Sequence, residues 1–255
     1  MGSIEERHER ASAGVALNHD PDAWYEGFAR PRVVLQPIAA PSVLGLFGFA
    51  GATLIVASHL AGWWGSETST PYLAPFAATF GGLAQFMAGM WSFRARDVLA
   101  TAMHGMWGAF WIAWGILNLL IATKALPAPT PAYHFPALGF WFLALGVITL
   151  SGVFAAFAEG NLGVTAVLAT LAAGSGIVAG ALIAGSNGWG KVAGWVFVVS
   201  AGLAWYTATA MLLKASYGRV VLPLGKTDRE ANVPGGQPTR PIQLEWGEPG
   251  VKMGQ

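Results

Sequence analysis

The sequence predicts an all-α integral membrane protein with six transmembrane helices, and two observations support this prediction. Between positions 42 and 213 the charged residues are Glu67, Arg94, Arg96, Asp97, Lys124, Glu159 and Lys191. They leave six uncharged stretches, each close to the roughly 20 residues that an α-helix needs to cross a bilayer. Over the whole chain 54% of residues are hydrophobic and 11% are charged, which is far below the roughly 25% charge typical of soluble domains.

The six predicted helices follow one another along the chain. We place them near residues 42–62, 71–91, 98–121, 136–157, 162–185 and 190–213. Prolines cluster in the first and third loops and at the helix starts that follow, where the missing N–H would be unbonded in any case. Because the loops are short, neighbouring helices are expected to run antiparallel. The 34 glycines suit such helices, since small residues let transmembrane backbones approach closely.

Charge separates the predicted membrane domain from the two ends of the chain. Residues 39–226 form the six-helix domain, and 1–38 form a predicted soluble N-terminal tail. Residues 227–255 are rich in Pro, Gly and polar residues and predict an extended C-terminal tail. Three aromatic residues in these tails, Trp24, Tyr25 and Trp246, are candidates for docking a protein partner.

Lysine and arginine predict the orientation in the membrane. One side of the predicted bundle carries Arg30, Arg32, Arg94, Arg96, Lys214 and Arg219, whereas the other carries Lys124 and Lys191. Positive charge favours the cytoplasmic side, so both termini are expected there, in a multi-pass protein of the cell inner (plasma) membrane. Tryptophans and tyrosines on the opposite side predict an interfacial belt. The belt residues are Trp63, Trp64, Tyr72, Tyr133, Trp141 and Trp189.

The predicted spans offer little for catalysis or metal binding. No acidic residue or lysine lies mid-span, and the chain has no cysteine. His59 and His104 fall on different helices without a His or acidic partner at i+3 or i+4. We therefore expect no catalytic residue, no metal, no cofactor and no enzyme activity. A net charge of +1 gives no indication of nucleic-acid binding.

Polar side chains within the spans are the candidates for function, because an unbonded polar group is costly in hydrocarbon. Gln85 lies in the run 81–89, whose small residues predict a flat helix face. Either this face packs tightly or Gln85 faces a pore. His59, Asn118 and Thr170 complete the candidate substrate path. For a hydroxyl such as that of Thr170, a structural hydrogen bond within or between helices is the simpler interpretation.

Five sequence segments occur in an order that is typical of one known family. They are Val43–Phe49 in the first helix, His59 at its end, Gly81–Gly89 in the second helix, Gly108–Trp111 in the third, and Tyr217–Gly225 after the sixth. Together they resemble the acetate uptake transporter family, whose bacterial type is the succinate–acetate permease. The resemblance covers about residues 40–226 of the chain.

The resemblance implies a ring-shaped homo-hexamer in which each six-helix protomer has its own pore for small monocarboxylates such as acetate, and sometimes succinate. It also implies a pore constriction at a Phe, a Tyr and a Leu, which correspond here to Phe49, Trp107 and Leu171. Two acids of the family pattern are replaced, by Ser92 and by Met211. Their loss favours passive or weakly coupled conduction over proton-driven pumping.

The sequence leaves three functional hypotheses open. The leading one is a membrane channel or transporter for small monocarboxylates such as acetate, with succinate as a further substrate. The second is a channel for a small neutral solute such as urea, ammonia or an undissociated acid, because a pore without fixed charge suits such a solute. The third is a structural subunit of a larger membrane complex. The expected partners are the lipid bilayer, a small carboxylate, further copies of the chain, and proteins bound through the tails.

Overall fold

The computed structural model describes residues 38–226, which form an all-α bundle of six long helices joined by short loops. The helices are α1 (Pro41–Leu60), α2 (Thr70–Ala95), α3 (Val98–Ala122), α4 (Pro136–Ala158), α5 (Leu162–Ala184) and α6 (Asn187–Tyr217). Each is long and apolar enough to cross a membrane, so the six predicted spans are confirmed in number and order. The largest boundary differences are at the ends of α2 and α6, predicted at 91 and 213 and found at Ala95 and Tyr217. The predicted tails, 1–38 and 227–255, lie outside the described residues except for Ile38.

Helix α2 changes its winding midway. It begins as an α-helix over Thr70–Ala77, continues as a π-helix over Ala78–Ala84 and ends as an α-helix over Gln85–Ala95. Neighbouring helices approach the π-helical stretch closely, because a Cβ on Gly81 would lie 2.7 Å from the Cβ of Ala52 and from the ring of Trp111. The sequence predicts an ordinary helix here, and the π-helical stretch is a difference. Such stretches frequently occur at functional sites, and this one directly precedes the buried Gln85.

The alternating helix directions bring the connections together at two ends of the bundle. The start of α1, the α2–α3 and α4–α5 turns and the segment after α6 meet at what we call the terminal end. Asp97 caps α3 there by accepting a hydrogen bond from the N–H of Ala100 (2.8 Å). Asn161 caps α5 in the same way, accepting from the N–H of Val164 (3.3 Å). These caps satisfy amide groups that the first turn of a helix leaves unpaired.

The opposite end of the bundle, the loop end, carries the aromatic residues of the predicted belt. All six side chains are exposed: Trp63, Trp64, Tyr72, Tyr133, Trp141 and Trp189. Between the two ends, large apolar side chains such as Phe76, Phe140 and Phe154 are exposed on the outer surface of the bundle. An apolar outer surface of this kind suits contact with lipid or with another membrane-embedded chain.

Close helix contacts in the bundle run through glycines. A Cβ on Gly89 of α2 would lie 2.6 Å from the amide nitrogen of Gly105 in α3, and one on Gly194 of α6 would lie 2.5 Å from that of Ala61. Since lipid tails are as apolar as the helix surfaces, close van der Waals packing of this kind holds transmembrane helices together. Of the small residues in the predicted face of α2, Gly81, Gly82, Ala88 and Gly89 are buried, and Ala84 is half-buried.

Replacing Gly89 by valine tests this packing. A side chain at position 89 has to push α3 away, so we expect Gly89→Val to lower the free energy of unfolding by about 1–3 kcal/mol. The measurement is thermal unfolding of the purified protein in mild detergent. Gly176→Val is the matched control, because a Cβ at Gly176 meets nothing within 4 Å. Equal melting temperatures for the two variants would show that the α2–α3 contact does not need glycine.

Candidate functional site

Two cavities lie along the same helices, one nearer each end of the bundle. The large cavity, of about 530 Å³, includes Leu46 of α1, His104 of α3 and Leu168 of α5 in its lining. The small cavity, of about 50 Å³, is lined farther along α1 and α3 by Thr53 and Trp111. Along α1 and α3, the residues that line the large cavity are thus separated by about one or two helical turns from the residues that line the small cavity.

The three predicted constriction residues lie where the two linings meet. Phe49 sits between the two lining positions of α1, and its ring packs edge-on against Trp107 with 6.4 Å between the ring centroids. Leu171 of α5 lines the small cavity together with Trp107. All three side chains are buried and belong to one apolar cluster. The three positions that the family resemblance implies for the constriction thus form one buried apolar layer, with Phe49 between the lining positions of α1 and with Trp107 and Leu171 at the edge of the small cavity.

Trp107 is held in this layer by a hydrogen bond that the sequence does not predict. Its indole Nε1–H donates to the hydroxyl of Thr149 in α4 (3.0 Å), and that hydroxyl donates to the carbonyl of Leu145 (2.7 Å). Its ring also packs edge-on against Phe110, with 5.4 Å between centroids. The indole of Trp107 is therefore held by a hydrogen bond at its polar edge and by an aromatic contact.

Neither cavity lining includes any of the four predicted path residues. Gln85 is buried, and its Oε1 has no hydrogen-bond partner among the described residues. His59 Nδ1 lies 3.1 Å from the carbonyl oxygen of Trp64. Asn118 and Thr170 each donate to a carbonyl of their own helix, at 2.8 Å.

Charged side chains line the terminal end of the large cavity. Arg96, Asp97, Glu159 and Lys226 all contribute to this lining, which we call the charged mouth. Lys226 reaches it because the segment after α6 folds back, so that the N–H of Leu162 donates to the carbonyl of Gly225 (2.9 Å). The sequence predicts charges in the turns but does not predict that a C-terminal lysine joins them.

The pKa values of two groups in the charged mouth are displaced. Burial raises the pKa of Glu159, the nearby Asp97 adds to this effect, and Lys226 opposes it. Burial lowers the pKa of Lys226 to about 8, with Lys214 acting in the same direction and Asp97 and Glu159 against it. The mouth therefore holds ionisable groups, although the spans beyond it have almost none.

The positions at which the resemblance implies acids differ in their surroundings. Met211 lines the large cavity, so an acid there would face the charged mouth. Ser92 is fully buried, and its hydroxyl donates to the carbonyl of Ala88 in its own helix (2.8 Å). His104 is not among the predicted path residues, yet it lines the large cavity, and its Nδ1 has no partner among the described residues. Within residues 38–226 no three His, Asp or Glu side chains are grouped closely enough to hold a metal ion.

The six-helix fold and its stacked cavities define a multi-pass membrane protein. Residues 27–226 match the model of the GPR1/FUN34/yaaH family, and the chain belongs to this family. The family resemblance inferred from the sequence motifs is thereby confirmed.

Individual relatives agree with the family assignment. The chain is 26% identical over 206 residues to the succinate-acetate/proton symporter SatP of Escherichia coli K12, covering 74% of this chain and 97% of that protein. It is 31% identical over 105 residues to the glyoxylate pathway regulator of Yarrowia lipolytica, covering 38% of each. A solved structure of the bacterial acetate channel SatP superimposes with a TM-score of 0.67 at 25% identity, covering 73% of this chain and 99% of that one.

Replacing Thr149 by valine tests the anchoring of Trp107. Thr149→Val has nearly the same shape but leaves the buried indole N–H without an acceptor, so we expect a loss of about 1–3 kcal/mol in unfolding free energy. The measurement is thermal or denaturant unfolding in detergent. Thr149→Ser keeps the hydroxyl and should lose clearly less. A loss in Thr149→Val no larger than that in Thr149→Ser would mean that the hydrogen bond to Trp107 does not measurably stabilise the protein.

Replacing Lys226 by methionine tests the burial of this lysine. Its pKa is about 8 in the folded protein, against an ordinary value of 10.5, so the unfolded chain binds more protons between these two pH values. Stability should therefore rise as the pH increases from about 8 to about 10.5, and Lys226→Met should remove this rise. Melting temperatures across that range measure it, with Lys124→Met as the control. An unchanged pH dependence in Lys226→Met would contradict the burial of Lys226.

Proposed function

We propose that the protein is a membrane channel or transporter, rather than an enzyme, that passes small monocarboxylates such as acetate along a path inside each protomer. One observation carries this proposal: two cavities follow each other along the same helices and are separated by the layer that contains Phe49 and Trp107. The names of the relatives give independent support, since one is a succinate-acetate/proton symporter and another is an acetate channel.

The layer of Phe49, Trp107 and Leu171 acts in this proposal as the pore constriction. An apolar constriction excludes hydrated ions because water does not fill it. A carboxylate has to lose water at this layer as an inorganic ion does, so the layer favours a small solute with few polar atoms. Small movements of Phe49 would open the layer, whereas Trp107 is held by its hydrogen bond to Thr149.

The charged mouth serves in this proposal as the entrance. Arg96 and Lys226 attract carboxylates electrostatically, and Asp97 and Glu159 keep the mouth close to neutral overall, so that a bound anion is not held too tightly to leave. Because the described spans carry no acid or lysine near the constriction, conduction is proposed to be passive or weakly coupled. The 530 Å³ of the large cavity also leaves room for succinate.

The arrangement in the membrane follows from the same reasoning. The excess of Lys and Arg at the terminal end supports cytoplasmic termini and an inner (plasma) membrane location. The exposed apolar side chains between the two ends are consistent with a ring-shaped homo-hexamer embedded in lipid.

Of the predicted path residues, Gln85 is the best supported, since its buried Oε1 has no described partner. His59, Asn118 and Thr170 would join the path only by leaving their present backbone contacts.

Replacing Phe49 by alanine tests the constriction and the function together. Removing the ring widens the layer, so we expect Phe49→Ala to raise the uptake of labelled acetate into proteoliposomes severalfold and to raise that of the longer propionate more. Phe154→Ala, on the exposed outer surface, is the matched control and should behave like the wild type. No wild-type uptake above empty vesicles, with folded and inserted protein, would disprove transport. Normal uptake that Phe49→Ala leaves unchanged would instead disprove this constriction.

A further inference from the structure

The segment that follows α6, residues 218–226, folds back over the terminal end of the bundle, and we call it the strap. Helix α6 ends at Tyr217, and Gly218 turns the chain there with a φ of +66°. A Cβ on Gly218 would meet nothing within 4 Å, so glycine suits this position because of its backbone conformation rather than because of close packing. The strap therefore begins at a turn with open space around it.

Polar contacts with α5 and α6 hold the strap on the bundle. The hydroxyl of Tyr206 in α6 donates to the carbonyl oxygen of Pro223 (2.8 Å). Beside the hydrogen bond from the N–H of Leu162 described above, Asn161 and Lys226 form an antiparallel β-bridge. The strap is thus attached to α6 near its middle and to the start of α5 at its end.

The strap forms part of the wall of the large cavity. A Cβ on Gly163 of α5 would lie 2.9 Å from the carbonyl oxygen of Leu224, so this glycine lets the strap lie directly on α5. Leu224 and Lys226 of the strap line the large cavity, together with Met211 of α6. The docked strap therefore closes the cavity on the side of α5 and α6.

Charge at the end of the strap favours this docked position. The carboxylates of Asp97 and Glu159 attract the ammonium group of Lys226, whereas Lys214 of α6 repels it. Asp97 belongs to the α2–α3 turn and Glu159 to the α4–α5 turn. The attraction therefore draws the end of the strap towards two turns that surround the mouth.

The strap is nevertheless bound less firmly than the helices. None of residues 218–226 is fully buried. Leu222, Leu224 and Lys226 are half-buried and alternate with exposed neighbours, as in an extended segment that turns one face to the bundle. Segments with few buried contacts open locally at a lower free energy than the core does. The strap can therefore leave the bundle while the six helices stay packed.

We propose that the strap is a hinged lid on the terminal-end opening of the large cavity. It turns about Gly218, closes one side of the charged mouth when it is docked on α5, and uncovers the cavity when its contacts with Tyr206 and Leu162 break. This inference rests on the proposed function, since the lid controls how a solute reaches the constriction from the terminal end. Conduction is then regulated at a place separate from the apolar layer.

The reaction of a cysteine inside the cavity gives the first test, and it does not depend on transport. Because the chain has no cysteine, Met211→Cys supplies a single thiol on the cavity lining. Its labelling by a charged, membrane-impermeant thiol reagent is measured in mild detergent. Tyr206→Phe removes the hydrogen bond to Pro223 and should raise the labelling rate about threefold to tenfold, because the open fraction of the lid rises by that factor.

Two controls accompany the labelling. Tyr217→Phe makes the same chemical change at an exposed tyrosine beside the strap and should leave the rate at Met211→Cys unchanged. Ala125→Cys, exposed at the loop end, should react equally with and without Tyr206→Phe, which excludes a general loosening of the protein. Equal rates at Met211→Cys with and without Tyr206→Phe would overturn the lid.

A disulfide across the β-bridge gives the second test. Asn161→Cys combined with Lys226→Cys places two thiols at directly paired positions, where the distance between Cα atoms suits a disulfide. Oxidation should lock the lid, so uptake of labelled acetate into proteoliposomes should rise severalfold when the same protein is reduced. Each single variant carries the same loss of the cap or of the lysine, and its uptake should not respond to the reductant.

The outcomes separate the lid from the proposed function. A disulfide that forms without lowering uptake, or that does not form at all, would overturn the lid and leave transport standing. No wild-type uptake above empty vesicles would overturn the proposed function. The labelling rates at Met211→Cys would in that case still decide whether the strap opens.

Discussion

The structure depends on one constraint, which is that hydrocarbon offers no hydrogen-bond partner to a polar group. Most hydroxyls in the spans meet it by bonding back to their own helix, as Ser92 does to Ala88 and Ser175 to Leu171. The bond from Trp107 to Thr149 meets it between two helices and fixes the layer between the cavities. Glycines then let the helices approach closely enough for such bonds to form across their interfaces.

The exceptions to this constraint fall where the function is proposed. Among the described residues, the buried polar atoms without a partner belong to Thr53, Gln85, His104 and Trp111, and three of these four residues line a cavity. The two cavities differ in kind, since the large one has a charged mouth and the small one has an uncharged lining. The layer at Phe49 therefore lies between a cavity with charged groups at its mouth and a cavity with an uncharged lining.

The sequence predicts the parts of this structure that depend on local composition. Charge placement locates all six helices, because a charged residue is costly in the bilayer wherever the chain folds. The family resemblance selects Phe49 and Trp107, which the fold then places side by side. The partner of Trp107 lies 42 positions away on another helix, and Lys226 reaches the charged mouth only because the chain folds back. Neither contact has a local pattern, so neither could be predicted, and the π-helical winding of α2 likewise has no signal beyond its paired glycines.

The replacement of the two family acids by Ser92 and Met211 bears on whether transport is coupled to protons. Proton-coupled transport through a buried carboxylate needs such a group in the path, and the spans lack one. Met211 lines a cavity whose charged mouth already supplies Asp97 and Glu159. The absence of a buried carboxylate at Ser92 and Met211 is therefore the basis for proposing passive or weakly coupled conduction.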